Sequence, residues 1–101
     1  MYILIPSDGT DPLKSKVTAI IDLSYWALIE FTDGEVKSTK FLASIEELTD
    51  IWVDYAILYN KYENYMDLMN NGVMCLVRRE EESIEELIEA FKFKELDEIG
   101  L

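Results

Sequence analysis

"YWALIEFTDGEVKSTKFL", residues 25–42, is the stretch whose reading decides the fold. Two runs rich in aromatic and β-branched residues flank Asp33-Gly34, a dipeptide that accepts positive φ and suits a tight hairpin turn. The segment is therefore predicted to be an antiparallel hairpin. Its second arm, "EVKSTKFL", is more polar and carries Lys37 and Lys40. Lysines of that kind deter pairing with another chain, so this arm is expected at a sheet edge. On the amino side, "VTAIIDLS" (17–24) is apolar yet comes after a polar turn. It is read as a loop or turn-like segment, with the strand starting near Tyr25.

Working outward, "YILIP" (2–6) is apolar at consecutive positions, as in a strand covered on both faces near the middle of a sheet. Pro6 and the run Ser7–Pro12 then make a turn-rich loop. The pentapeptide "SIEEL" occurs twice, at 44–48 and 83–87, but its flanks do not match and no repeat is inferred. Each copy is a capping box, in which a Ser hydroxyl and a Glu carboxylate satisfy free amides at a helix start. A helix is predicted after each. Ile45, Leu48 and Trp52 give the first an apolar stripe, and Ile84, Leu87, Ile88 and Phe91 give the second the i, i+3, i+4, i+7 spacing. Between them, "VDYAILY" (53–59) and "VMCLV" (73–77) read as buried strands. Asn60 and Glu63 resemble a cap pair for a middle helix lined by Tyr62, Tyr65, Met66 and Met69 and stopped by Gly72.

The order β-β-β-α-β-α-β-α predicts an α/β protein with a mixed five-stranded sheet and helices on its faces. Strand–helix alternation in the second half implies parallel strands. One domain over 1–101 is expected, with a loose tail from about 95. The 101 residues are half hydrophobic, enough for one core.

The net charge is −12, with −10 of it in residues 41–101. So acidic a surface repels phosphate backbones and anionic lipid, which argues against nucleic acid and membrane partners. The lone Cys75 excludes an internal disulfide and a multi-cysteine zinc site, and a reducing cytoplasm is the expected setting. "MYILIPSDGT" is too quickly polar for a signal peptide, and no apolar run nears the roughly 20 residues that span a bilayer.

Six segments in order resemble the dinitrogenase iron–molybdenum cofactor biosynthesis family, the small domain also found in NifX-type and NifB C-terminal proteins. They are "MYILIP", "SKV" (15–17), "YWALIEFTDGEV", "VDYAIL", "MNNGVMCLV" (69–77) and "SIEELIEAF" (83–91). The resemblance spans nearly the whole chain and implies a ribonuclease H-like three-layer fold. It also implies a ligand site at Ile20, Ile21, Asp22, Tyr59 and Asn60, and an iron–sulfur or iron–molybdenum cluster as ligand. The chain departs from the family there. Where the family carries His-Phe-Gly this sequence has Ile20, Ile21 and Asp22, and it contains no histidine. Where the family places glycines after the central strand, this chain has "YNKYENY" (59–65). Ile20 and Ile21 are expected to fold inward or fill part of the pocket, and no cofactor is expected.

Other chemistry has plainer readings. Cys75 inside "VMCLV" suits a small core hydrophobe better than a reactive thiol. Met66, Met69 and Met74 suit packing rather than a soft-metal site. Asp8, Asp11 and Asp22 are too dispersed to specify a cation site, and Asp8-Gly9 reads as a turn. A nuclease needs clustered carboxylates, and the first strand has none. No histidine, phosphate-binding glycine loop or nucleophile–base pair marks an enzyme. The expectation is a non-catalytic accessory or binding protein of the cofactor-biosynthesis type with an altered ligand. The alternative is an interaction module that presents Tyr59, Tyr62, Tyr65, Glu81, Glu82 and Glu85 to a basic protein. The sequence leaves the oligomeric state open.

Overall fold

The computed structural model describes residues 1–99. Strands β1 (Tyr2–Ser7), β2 (Tyr25–Thr32), β3 (Glu35–Leu42), β4 (Tyr55–Leu58), β5 (Met74–Val77) and β6 (Asp97–Glu98) form one mixed sheet in the order β3-β2-β1-β4-β5-β6. β1 pairs antiparallel with β2 and parallel with β4, and β4 pairs parallel with β5. The hairpin is as read: Asp33 and Gly34 both take positive φ (54° and 79°), and β3 with its two lysines lies at the edge. β1 is central, which explains its unbroken apolar run.

Side chains alternate across the sheet and build two cores. Ile3, Ile5, Ala27, Ile29 and Ile57 face helix α2 (Ile84–Lys92), whose Ile84, Leu87, Ile88 and Ala90 are buried against them. Leu4, Leu28, Ala56 and Leu58 face the other way, toward Leu68 of the short helix α1 (Met66–Asn70). The sheet is thus covered on both sides, which fits the consecutive apolar residues of β1 and β4. Gly72 ends α1 with φ 81°, and a Cβ there would lie 3.1 Å from the Trp52 ring.

Three expectations are corrected. Among the described residues the sheet has six strands, not five. The segment read as a loose tail is anchored by buried Leu96, and Asp97–Glu98 pairs antiparallel with Leu76 and Val77. An Asp-Glu pair has low strand propensity, so nothing local marks it as a strand; the open edge of β5 supplies the pairing partners. Residues 100 and 101 of that tail lie outside the described residues. Among the described residues there are two α-helices, not three. The first SIEEL opens only a 3₁₀ turn (Ile45–Glu47), and Trp52 of its supposed stripe is 69% exposed. The middle helix begins at Met66 rather than beside Asn60, and Tyr65 caps it without a side-chain bond.

Among the described residues no helix is long and apolar enough to cross a membrane.

Candidate functional site

The three parallel strands end together. β1 stops at Ser7, β4 at Leu58 and β5 at Val77, and the next residues are Asp8, Tyr59 and Arg78. In open α/β sheets ligands settle outside the carboxyl ends of such strands, because the loops that leave them converge there. A cleft of about 220 Å³ opens at this place, lined by Asp8, Lys16, Thr18, Tyr59, Arg78 and Glu82.

Backbone bonds fix its walls. After β1 the chain doubles back: Asp8 donates to the Lys16 carbonyl (3.0 Å), and the Asp8 carboxylate accepts from the Lys16 amide (2.8 Å). The Val17 amide donates to Glu82 (2.8 Å), and Ile84 donates to Ser15 (2.9 Å). The loop is thereby stitched to the segment that leads into α2. Within it, the amides of Lys14 and Leu13 donate to Asp11 and hold that carboxyl below its usual range.

Arg78 is the most constrained side chain in the cleft. Its Nε donates to the Tyr59 carbonyl and its Nη1 to the Glu81 carbonyl, each at 3.0 Å. The guanidinium lies over the Tyr59 ring, 3.9 Å from the centroid, a cation–π contact. Arg78 therefore ties the loop after β4 to the loop after β5. Arg79 turns outward and pairs with Asp97 (2.9 Å), and that hydrogen bond raises its pKa.

The residues expected from the sequence are dispersed around this cleft. Ile20–Asp22 forms a 3₁₀ turn, so the loop reading of 17–24 agrees with the structure and β2 begins at Tyr25. Ile20 packs half-buried on the α1-side core, whereas Ile21 is 91% exposed. The expectation that both fold inward is corrected at Ile21: a three-residue turn points successive side chains apart, and only one reaches the core. Asp22 is exposed. Glu63 is not a helix cap; its carboxylate accepts from the amides of Ile20 and of Asn60 and so joins the two loops. Asn60 in turn accepts from Tyr62 (2.8 Å), closing a local turn.

The three tyrosines differ in setting. Tyr59 lines the cleft, Tyr62 is 84% exposed beside Lys61, and Tyr65 packs on the α1-side core. Burial opposes charge on Glu81, but its carboxylate gathers the amides of Glu81 itself, Arg79 and Glu80, and the pKa falls below the usual value. Glu81 is thus committed to its own turn, while Glu82 and Glu85 stay exposed. The sequence reading missed Lys16, Thr18 and Arg78 as cleft residues. The signal that could have found them was positional: Arg78 directly succeeds a buried parallel strand, as Tyr59 does.

The donor set does not fit an iron–sulfur or iron–molybdenum cluster, which calls for thiolates or imidazoles. The cleft offers carboxylate, hydroxyl, guanidinium and amine groups only. Cys75 is buried within β5 on the α1 side, and desolvation pushes its thiol pKa up, away from the thiolate that binds metal. Among the described residues no group of three or more His, Cys, Asp or Glu is placed to hold a metal ion. A larger hollow of about 710 Å³ opens at the opposite end of the sheet. Its floor is core: Phe91 meets Phe31 and Tyr55 edge to face, with centroids 5.5 and 5.1 Å apart. It lies away from the convergent loops.

These features define an α/β protein with a small polar cleft at the carboxyl ends of three parallel strands. The fold is shared with solved structures. A "putative dinitrogenase" from Methanocaldococcus jannaschii matches in its crystal structure (TM-score 0.77, 21% identity, 99% of this chain and 95% of that one). It matches also in its NMR structure (TM-score 0.79, 24% identity, 100% and 94%). A "putative NifB protein" from Thermotoga, of the DUF35 family, matches with TM-score 0.70 and 22% identity over 99% and 95%. No family model and no curated protein matches the chain. At these identities the likeness is one of fold, and it agrees with the resemblance carried by the six sequence segments.

Proposed function

We propose that this chain is a non-catalytic accessory or binding protein of the dinitrogenase iron–molybdenum cofactor biosynthesis type, ribonuclease H-like in architecture, whose ligand differs from a metal cluster. The observation that supports it is the cleft itself. It sits beyond the carboxyl ends of the parallel strands, and its lining, Tyr59 stacked under Arg78 together with Asp8, Lys16, Thr18 and Glu82, offers no thiolate or imidazole. The names of the fold neighbours point to the pathway, and the donor set points away from the cluster. Anaerobic reconstitution with iron, sulfide and molybdate, then gel filtration and metal analysis, tests the reading. The expected result is protein eluting without bound metal. A cluster that survives filtration and perturbs the spectra of Ile20 and Tyr59 overturns it.

A second reading has one observation in its favour. Glu82, Glu85, Glu86 and Glu89 stay exposed at the start and along the outer face of α2. A basic protein bound there would dissociate as salt rises, since exposed charge contacts are screened.

A further inference from the structure

Four charged residues line the cleft: Lys16 and Arg78, Asp8 and Glu82. Among the described residues the ion pairs are Lys37–Glu35, Arg79–Asp97 and Lys92–Glu89, so none of the four is paired within 4.0 Å. In a chain with 21 acids and 9 bases, a fixed guanidinium without a carboxylate partner is unusual. Hydrogen bonds between charged groups are stronger than neutral ones, so a carboxylate is the partner such a group ordinarily finds. Here Nε and Nη1 are used on carbonyls and one ring face on Tyr59, which leaves Nη2 as an oriented donor. Thr18 adds a second unmet group. Its Oγ1 is buried without a hydrogen-bond partner, and Thr18 lines the same cleft.

We infer that the cleft binds a small zwitterion of the amino-acid type, its carboxylate on Arg78 and its ammonium group on Asp8 and Glu82. This rests on the binding-protein reading above and names its ligand class. Two charges of each sign, held apart around one space, complement a molecule that carries both and disfavour a simple polyanion, which would meet Asp8 and Glu82. Size agrees. A cleft of about 220 Å³ has room for a small amino acid. The Tyr59 ring stiffens the carboxylate-binding arginine, so little side-chain freedom is lost on binding.

The test is an amide NMR titration of the whole chain with L-alanine, sodium acetate, methylammonium and inorganic phosphate. L-Alanine is expected to shift the signals of Thr18, Tyr59, Arg78 and Glu82 with a Kd of about 1 mM or tighter. Acetate and methylammonium should bind at least about tenfold more weakly. Arg78→Gln should abolish the alanine response, but it also cuts the tie between two loops. Glu82→Gln avoids that problem, because the Glu82 side chain is exposed and its carbonyl still accepts from Val17. That variant should weaken alanine several-fold while leaving acetate unchanged or tighter. Equal affinity for alanine and acetate, tighter binding of phosphate, or an alanine affinity indifferent to Glu82→Gln would each overturn the inference. So would silence from all four probes. None of these results bears on the cluster reconstitution, whose own outcome decides the parent reading.

Discussion

The pentapeptide SIEEL occupies two places in this molecule and meets two fates. At 44–48 it opens a three-residue 3₁₀ turn; at 83–87 it opens the nine-residue helix α2. The capping box forms in both. Ser44 accepts from Glu46 (3.1 Å) while Glu47 accepts from Ser44 (2.9 Å), and Ser83 accepts from Glu86 (3.1 Å) while Glu86 accepts from Ser83 (3.2 Å). The difference lies in the residues after each box and in how far each box is covered. Ile84 and Leu87 are 2% and 0% exposed, whereas Ile45 is 36% exposed and Leu48 half-buried. After the second box comes Ile-Glu-Ala-Phe-Lys, with an apolar face for the sheet. After the first comes Thr49-Asp50, and Asp50 adopts φ 60°, which stops a right-handed helix. A cap satisfies amides and sets direction. Propagation requires burial, because short helices are marginal in water.

The largest expected effect contrasts the two leucines. Leu87→Ala should cost about 3 kcal/mol in urea unfolding, from lost transfer energy and the cavity left behind, whereas Leu48→Ala should cost about 1 kcal/mol or less. Equal losses would break the contrast, because they would mean that burial does not separate the two boxes. Next come the serines. Ser83→Ala should cost about 1 kcal/mol, and Ser44→Ala no more than a few tenths, since only one exposed turn depends on it.

A smaller effect concerns where α2 stops. Lys94 lies just past the helix with φ 57°, in the position where glycine is favoured, and its amide donates to Phe91 (3.2 Å). Lys94→Gly should raise stability by roughly 0.5 kcal/mol through relief of the left-handed backbone. An unchanged or lowered urea midpoint would show that the Lys94 side chain matters more than its backbone.

The smallest effect is a pH dependence. Glu81, in the turn before the second box, has its folded-state pKa lowered from 4.5, while the turn before the first box holds no such carboxylate. A carboxyl with a depressed folded pKa stabilises above its unfolded pKa, and that stabilisation is lost as pH falls through the folded value. Between about pH 5 and pH 3 the wild type should therefore lose a few tenths of a kcal/mol more than Glu81→Gln. Parallel urea midpoints for the two proteins over that range would remove Glu81 from the account of how α2 is entered.

Parts of the site were open to sequence reasoning in the same way as the caps. The loop character of 17–24 and the turn chemistry around Asp8 were legible, because Pro, Gly and Asp act on neighbouring residues. The role of Glu63 was not. Its spacing from Asn60 resembles a cap, but its carboxylate also holds Ile20, 43 positions away in the chain. Arg78 was visible only as a basic residue after a strand. Its importance comes from Tyr59, 19 positions earlier, which supplies both a carbonyl and a ring face.

The sequence by itself determined the strands whose apolar runs or turn dipeptides speak for them: β1, the β2–β3 hairpin, β4 and β5. It also determined both capping boxes and the acidic surface, since each rests on residues within a few positions of one another. Only the tertiary structure decided that Asp97–Glu98 becomes a sixth strand, that the first SIEEL stops after one turn, and that Ile21 faces water while Ile20 does not. Those outcomes depend on which surfaces the rest of the chain brings near. The cleft belongs to that second group, because its lining comes from three loops that meet only when β1, β4 and β5 align in parallel.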